Sequence, residues 1–441
     1  MKISVVGTGY VGLVSGVCLA TKGHDVTCVD LDEAKVARIN RGEAPIHEEG
    51  LDELLAKAIG KNLRAGTDLE TAVHASEVSL IAVGTPFRGD EIDLRFVEQA
   101  ARDIGRALRT KDGYHVVIVK STVVPGTTDG VVLSCLEEAS GKRAGVDFGV
   151  GMNPEFLREG VAVADFMGPD RIVLGAIDAR TLDVMERMYD VFEGVDIVRT
   201  NPRTAEMIKY TANSLLATMI SFSNEIANLS ARVGGIDATE VMAGVHLDKR
   251  LSPITHDGRV VPSFTTYIEA GCGFGGSCFP KDVKALIAHG RQFGQPMKLL
   301  SSVIEVNEDQ PNRMLEMLAK HIPDLAGRRI AVLGLAFKPG TDDVRESPAI
   351  AIIEALLRCG ASVQAFDPVA EAEMRRVFND ARIEYRPTIE SAVDAAEAVL
   401  LVTRWPEFET LPELLAPEVL LIDGRRMLAR DSVPRYEGIG L

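Results

Sequence analysis

Three groups of residues in this sequence have the types and spacing to do chemistry. The first is Gly275-Gly276-Ser277-Cys278-Phe279-Pro280-Lys281-Asp282, a cysteine set between two glycines and a Lys-Asp pair. A thiolate is a strong nucleophile, and a nearby cation favours it over the thiol. A free cysteine is more often a small buried hydrophobe, but these neighbours describe a tight polar turn. The second group is Lys209 and Asn213, four apart in an apolar stretch. On a helix that spacing puts both on one face. The plain alternative is an exposed lysine and a polar filler, yet a polar pair pointing together stands out on so apolar a cylinder. The third group is Glu155 and Glu159, four apart in the Pro-led segment Asn153-Pro154-Glu155-Phe156-Leu157-Arg158-Glu159-Gly160. Acids are also ordinary at a helix start, where the dipole favours them. Cys272 lies six residues before Cys278, but no further Cys/His set at ligand spacing accompanies the two. No metal site is expected, and Cys272 reads as structural.

A fourth motif binds rather than reacts. Gly7-Thr8-Gly9-Tyr10-Val11-Gly12 is a GxGxxG between a strand and a helix. Its glycines allow a tight turn, close approach of backbone to a pyrophosphate, and close helix–strand packing. The free N–H groups of the following helix favour an anion. Asp30 ends the next strand, where a carboxylate accepts a ribose 2′-hydroxyl and repels a 2′-phosphate, so NAD is expected over NADP. Lys35 follows in the next helix. Gly84-Thr85-Pro86 and Ser121-Thr122-Val123-Val124-Pro125 each close a strand, so Thr85 and Thr122 can reach a cofactor.

These residues need a scaffold, and the hydrophobic pattern supplies one. Short apolar runs at Ile3–Val6, Asp25–Asp30, Val78–Val83, Val116–Lys120 and Val146–Gly151 alternate with turn and helix signals, beginning with a helix over Tyr10–Lys22. That alternation predicts a parallel sheet with helices on its faces. From Thr204 to about Val233 the chain reads as one long helix, apolar round most of its surface, as in a buried spine or a subunit interface. Helices continue to about Lys320, interrupted by an irregular stretch from Ser252 to Gly276. A second strand–glycine–helix unit opens at Arg329, with later strands at Ser362–Phe366, Val399–Val402 and Val419–Ile422. The expected fold is α/β: two Rossmann-like doubly wound domains joined by a long central helix and a helical connector. The boundaries fall at 1–200, 201–315 and 316–441.

Bulk properties narrow the partners. A net charge of −16 repels nucleic acid and anionic membrane at long range. It leaves room for an anionic small molecule in a locally basic cleft. No uninterrupted apolar run is long enough for a membrane span, and the six scattered cysteines match no disulfide framework. The expected setting is the cytoplasm, with reduced thiols.

Taken together, Asn153–Gly160, Lys209-Tyr210-Thr211-Ala212-Asn213 and Gly275–Asp282 resemble the UDP-glucose/GDP-mannose 6-dehydrogenase family over essentially the whole chain. The resemblance implies oxidation of C6 of a nucleotide-bound hexose from alcohol to acid, with two NAD⁺ and one active site. Cys278 is then the nucleophile that carries a thiohemiacetal and a thioester. Lys209 stabilises oxyanion character at C6, and Asn213 positions the sugar and a water. Glu155 is the general base for thioester hydrolysis, and Asp282 is the second candidate acid/base, sharing a water network with Lys209. Glu159 lies near the nicotinamide, and Glu155, Phe156, Leu157, Arg158 and Glu159 line the sugar site. Tyr267, Ile268, Glu269, Ala270, Gly271 and Gly275 add to the substrate site, and Lys281 to the cofactor site. Phe337-Lys338-Pro339-Gly340-Thr341-Asp342-Asp343-Val344-Arg345-Glu346-Ser347 matches the family closely, so Lys338 is expected on the sugar-nucleotide and Arg345 on NAD, with both ligands between the two α/β domains. Asp423-Gly424-Arg425-Arg426 offers a further diphosphate contact.

The sequence departs from the family pattern at about Ile254 to Thr266, which is extra. Either Arg250 or Arg259 fits the arginine that reaches a neighbouring subunit. Gly168-Pro169-Asp170-Arg171-Ile172-Val173 and Phe279 favour UDP-glucose as substrate, with GDP-mannose as the alternative. A two-electron β-hydroxyacid dehydrogenase shares the fingerprint and the Lys-x3-Asn helix, but needs neither Cys278 nor a second α/β domain. The apolar spine helix makes a homodimer the expected assembly.

Overall fold

The computed structural model describes residues 1–88 and 91–441. The chain divides into two compact units, Met1–Ala212 and Asn213–Leu441.

The first unit is built on an eight-stranded sheet. Its strands are β1 (Lys2–Val6), β2 (Asp25–Val29), β3 (Leu63–Gly66), β4 (Val78–Ile81), β5 (His115–Val119), β6 (Phe148–Met152), β7 (Arg171–Ala176) and β8 (Asp196–Thr200). They lie in the order β8-β7-β6-β5-β4-β1-β2-β3. All neighbours are parallel except β6 and β7. Strand order reverses between β1 and β4, so the carboxyl ends of those two strands flank a crevice suited to a ligand. The central strands are apolar because helices cover both faces; β5, His-Val-Val-Ile-Val, is wholly buried. β3, β7 and β8 were not anticipated. β8 is an edge strand with no fully buried residue, so it carries no hydrophobic run to recognise.

The fingerprint helix runs Tyr10–Thr21 and is buried continuously from Gly12 to Ala20. Packing at that depth requires small residues. A Cβ on Gly16 would sit 2.6 Å from the Cys28 sulfur on β2.

The long helix spans Pro202–Val233. Pro202 is its first residue rather than the residue ahead of it, a position where a fixed φ and a missing N–H cost nothing. The helix opens in the first unit and continues into the second. Ala217 and Ala227 are buried, whereas Leu215, Phe222, Leu229 and Val233 are 51–63% exposed. In the second unit it is followed by helices Ala238–His246, Phe279–Gln292 and Lys298–His321. The extra sequence forms a two-residue hairpin, Ile254–Thr255 with Gly258–Arg259, and a 3-10 turn over Ser263–Tyr267.

The second unit's sheet has six parallel strands: β9 (Arg329–Leu333), β10 (Ser362–Phe366), β11 (Ile383–Tyr385), β12 (Ala398–Leu401), β13 (Leu420–Asp423) and β14 (Tyr436–Gly438). The order β11-β10-β9-β12-β13-β14 is that of a dinucleotide-binding Rossmann domain. Gly334 follows β9 with φ +87. No helix opens there; the helix Pro348–Arg358 begins only after the segment 337–347. The expected strand–glycine–helix unit is therefore a strand, a glycine turn, a long loop and a helix.

Candidate active site

In the first unit the fingerprint glycines behave as their roles require. Gly7 has φ +96, and a Cβ there would lie 2.8 Å from the Ala82 carbonyl oxygen. A Cβ on Gly12 would overlap the Gly7 carbonyl oxygen, so the turn and the helix start close only on glycine. A Cβ on Gly9 would meet nothing within 4 Å, leaving the backbone open to a phosphate. Asp30 Oδ2 accepts from the Thr8 N–H (2.8 Å) and the Thr8 hydroxyl (2.6 Å), and Oδ1 accepts from the Asp32 N–H. Burial opposes the Asp30 charge, but these hydrogen bonds, with Lys35 nearby, hold the carboxyl below its ordinary value. The carboxylate remains half-buried, with lone pairs to offer a ribose. Thr85 and Thr122 come together, the Thr85 hydroxyl donating to the Thr122 carbonyl at 2.9 Å. An open glycine turn with an ionised acid beside it fits NAD.

Tyr10 and Val11 open the fingerprint helix. The Tyr10 hydroxyl donates to Glu48, and the same carboxylate accepts from the N–H groups of Gly160 (2.7 Å) and Ala162 (2.6 Å). Glu48 therefore ties the fingerprint to the segment carrying Glu155 and Glu159. Nothing in its local sequence marks it.

The segment 155–160 carries a buried ion pair. Glu155 Oε1 lies 2.9 Å from Lys209 Nζ, with side chains 5% and 3% exposed. Oε2 accepts from the Leu157 N–H at 2.6 Å. Burial alone would raise the Glu155 carboxyl; Lys209, the Leu157 N–H and Lys120 outweigh it and hold the carboxyl below its ordinary value. Two cations lie over the Phe156 ring, the Arg171 guanidinium at 3.9 Å and Lys209 Nζ at 5.5 Å from its centroid. Arg158 pairs with Asp165 at 2.6 Å. Glu206, one turn before Lys209 and fully buried, accepts from the N–H groups of Gly126 (2.7 Å) and Thr128 (2.8 Å), which fixes the loop after β5. Burial pushes its carboxyl up to about 7.

In the second unit Cys278 is the N-cap of the helix Phe279–Gln292. Negative charge on sulfur is favoured at a helix N-terminus. Asp282, 1% exposed, returns its N–H to the Cys278 carbonyl at 2.8 Å. Its two oxygens accept from Asn213 Nδ2 (2.7 Å) and Lys281 Nζ (2.6 Å). The structure thus gathers Asn213 and Lys281 on Asp282, one helical turn after Cys278. The glycines ahead of the cysteine fit a narrow space. A Cβ on Gly275 would overlap the Glu346 carbonyl, and one on Gly276 would lie 2.7 Å from the Phe337 ring. The loop 275–278 is therefore pressed against the segment holding Lys338 and Arg345. Lys338 lies over Phe337, and Arg345 pairs with Asp343 at 2.7 Å.

The segment 267–271 flanks this loop. Tyr267 and Phe274 both pack on Phe279. Ile268 is buried and Ala270 packs on the second unit's core. Glu269 pairs with Arg404 at 3.1 Å, and the Gly271 N–H donates to Asn224. Cys272 is buried with its sulfur 3.4 Å from the Val402 carbonyl, a structural place. Arg425 and Arg426 are committed to the Val402 carbonyl and to Asp237. Arg259 folds onto the carbonyls of Leu247 and Ser252, whereas Arg250 pairs with Asp248 and is 88% exposed. Among the described residues no three His, Cys, Asp or Glu gather as a metal would need, and no helix is long and apolar enough to cross a membrane.

A dinucleotide-binding sheet, a second Rossmann-ordered sheet and a cysteine at a helix start define an NAD-dependent oxidoreductase with a covalent option. Comparison with known proteins makes the class specific. Profiles of the UDP-glucose/GDP-mannose dehydrogenase family match as the NAD binding domain over residues 1–193, the central domain over 203–309 and the UDP binding domain over 331–430. The chain belongs to this family of NAD-dependent nucleotide-sugar dehydrogenases. It is 44% identical over 446 residues to the UDP-glucose 6-dehydrogenase of Haloferax volcanii, with all of both chains covered. It is 41% identical over 452 residues to the GDP-mannose 6-dehydrogenase of Pseudomonas savastanoi pv. phaseolicola, again covering both chains. A solved UDP-glucose dehydrogenase from Pyrobaculum islandicum superposes with a TM-score of 0.91 at 40% identity, covering 99% of this chain and 97% of that one.

Proposed function

We propose that the protein oxidises UDP-glucose to UDP-glucuronate in two steps at Cys278. The observation that carries this reading is the Cys278–Asp282–Lys281–Asn213 cluster at a helix N-terminus. NAD⁺, when bound, supplies the hydride acceptor for each oxidation. The first hydride and a proton leave the C6 alcohol, giving an aldehyde. The Cys278 thiolate adds to C6, forming the S–C6 bond of a thiohemiacetal. Loss of a second hydride leaves a thioester. Water then attacks C6, the S–C6 bond breaks, and the thiolate leaves. Lys209 supports negative charge on the C6 oxygen. Glu155, held ionised, takes a proton from the attacking water. Asn213 and Asp282 orient the sugar and a water, and Glu159, Thr85, Thr122, Lys281 and Arg345 serve the cofactor. Phe156, Leu157, Arg158, Tyr267, Ile268, Glu269, Ala270, Gly271, Gly275 and Lys338 shape the sugar-nucleotide site. The described cysteines are thiols rather than disulfides, which suits the cytoplasm.

The test counts NADH released per sugar with UDP-glucose or GDP-mannose. Two per UDP-glucose are expected, and Cys278→Ser should bind substrate but make no acid. One NADH per sugar, or normal acid from Cys278→Ser, refutes the thioester scheme. Turnover of GDP-mannose alone would make that sugar the substrate.

The assembly we propose is a homodimer. Leu215, Phe222, Leu229 and Val233 repeat along one stripe of the long helix at spacings of seven, seven and four, and all are exposed. That spacing suits a helix-to-helix seam. Arg250, projecting into solvent, is the better of the two arginines for reaching a second copy.

A further inference from the structure

Lys120 has no place in the scheme above, yet it is one of the least expected side chains in the molecule. It directly follows the apolar strand β5 and is 3% exposed. A buried ammonium persists where it is paired or where function holds it. Its Nζ donates to Asn153 Oδ1 at 2.9 Å, and its backbone N–H donates to the Ile81 carbonyl at 2.8 Å. Asn153 is itself fixed on every side. Its Oδ1 also accepts from the Tyr189 hydroxyl at 2.5 Å, its Nδ2 donates to the Val173 carbonyl at 3.0 Å, and its N–H donates to the Val119 carbonyl at 2.9 Å. Asn153 stands two residues before Glu155, and Lys120 two residues before Thr122. Lys120 therefore clamps the cofactor strand end to the segment that carries the carboxylate.

Two cations act on Glu155 from different elements, and a third lies on its neighbour Phe156. Lys209 faces it from the long helix, Lys120 from the end of β5, and Arg171 at the start of β7 lies across Phe156. Tyr189 is the titratable group facing Asn153 from the helix Ala179–Tyr189. Lys209 is already paired to Glu155. A second buried cation lets Glu155 stay ionised even when Lys209 is engaged with the C6 oxygen. The burial that pushes the Lys120 ammonium down to about 8 is opposed by Glu155 and reinforced by Lys209, so the three groups share one electrostatic environment.

We infer that Lys120 is a positioning residue for thioester hydrolysis: it fixes the Asn153–Glu155 segment and keeps the Glu155 carboxylate charged during that step. The inference rests on the proposed Cys278 thioester and on Glu155 as its hydrolytic base. Removing the Lys120 charge should let the Glu155 carboxyl take a proton at higher pH, so the acid limb of hydrolysis moves upward.

The test follows hydrolysis of the acyl-enzyme directly, by intact-mass analysis of quenched full-length enzyme turning over UDP-glucose and NAD⁺ from about pH 4 to 9. Lys120→Met should move the acid limb up by about one pH unit. Because Glu155 sits below its ordinary value in the parent, the variant's rate should fall about threefold or more below the parent's at pH 4, match it within about twofold from pH 7 upward, and leave KM for UDP-glucose unchanged. Lys120→Arg should restore the limb even if some rate is lost. Glu155→Gln should accumulate acyl-enzyme and lose the limb altogether. A Lys120→Met limb that coincides with the parent's, or a Lys120→Arg limb that follows Lys120→Met, overturns the inference. So does a limb that survives in Glu155→Gln. If no acyl-enzyme forms in any variant, including the parent, the thioester reading itself fails, and that outcome is separate from an unmoved limb.

Discussion

Replacing Lys209 by Met tests the buried pair as a structural object. The Lys209–Glu155 contact is 2.9 Å long, with both side chains at most 5% exposed. Deleting one partner of such a pair strands the other as a buried charge, at a cost of about 3–5 kcal/mol. The Leu157 N–H and Lys120 remain beside Glu155, so the low end, about 3 kcal/mol, is expected. For a unit of this size that is a fall of roughly 6–12 °C in melting temperature. The cost should depend on pH in a defined direction. In the parent, Glu155 sits below its ordinary value, so its stabilisation is present above the unfolded-state value and fades as pH falls through the folded one. In Lys209→Met its carboxyl rises instead, so the penalty grows from pH 5.5 to pH 8. Adding Glu155→Gln should recover most of the loss, because the stranded charge is gone. Calorimetry is the right assay: the single tryptophan, Trp405, belongs to the second unit and its fluorescence would report the wrong one. A penalty below about 1 kcal/mol, or one equal at the two pH values, refutes the reasoning. A double variant less stable than Lys209→Met does the same.

Two further outcomes separate packing from binding. Gly9→Ala should leave the melting temperature unchanged and, on the proposed cofactor site, weaken NAD at least about tenfold, because its Cβ would meet no protein atom and would face a bound pyrophosphate, whereas Gly12→Ala should destabilise the first unit by more than about 2 kcal/mol; calorimetry and titration of NAD distinguish the two, and equal behaviour would sink the assignment. Leu229→Glu should raise the dimer dissociation constant about a hundredfold or more by burying a charge in the seam, with the melting of isolated protomers little changed; light scattering that shows the same mass as the parent would reject the helix as the interface.

The legible part of the fold was the part written in local pattern. The runs that became β1, β2, β4 and β5 are apolar and β-branched, and the fingerprint helix is fixed by glycines whose Cβ atoms would collide. β8 was invisible because an edge strand needs no apolar run, and β11 because three residues carry too little periodicity. Cys278, Lys281 and Asp282 share one motif, and Lys209 and Asn213 share one helix face by spacing, but it was the family resemblance that joined the two sets into one site. Lys120, Glu48 and Glu206 could not. Each acts on backbone or side chains brought in by long-range contacts, Glu48 on Gly160 and Glu206 on Gly126. The Lys120 position does leave a trace, a lysine closing a strand of five buried apolar and histidine residues, where solvent alone would not explain it.

The distribution of thiols has a practical meaning for covalent probes. Cys18, Cys28, Cys135 and Cys272 are buried, and burial pushes Cys18 and Cys28 up to about 12, with Cys135 and Cys272 also raised. Electrophiles need an accessible thiolate, so these four are silent. Cys359, exposed at the end of the helix Pro348–Arg358, is the one competitor of Cys278. A Cys359→Ser background therefore turns the protein into a scaffold with a single chemical address. A fluorophore or crosslinker delivered there would report on the loop that carries Cys278, and protection by added sugar nucleotide would test whether that loop belongs to the proposed substrate site without any turnover.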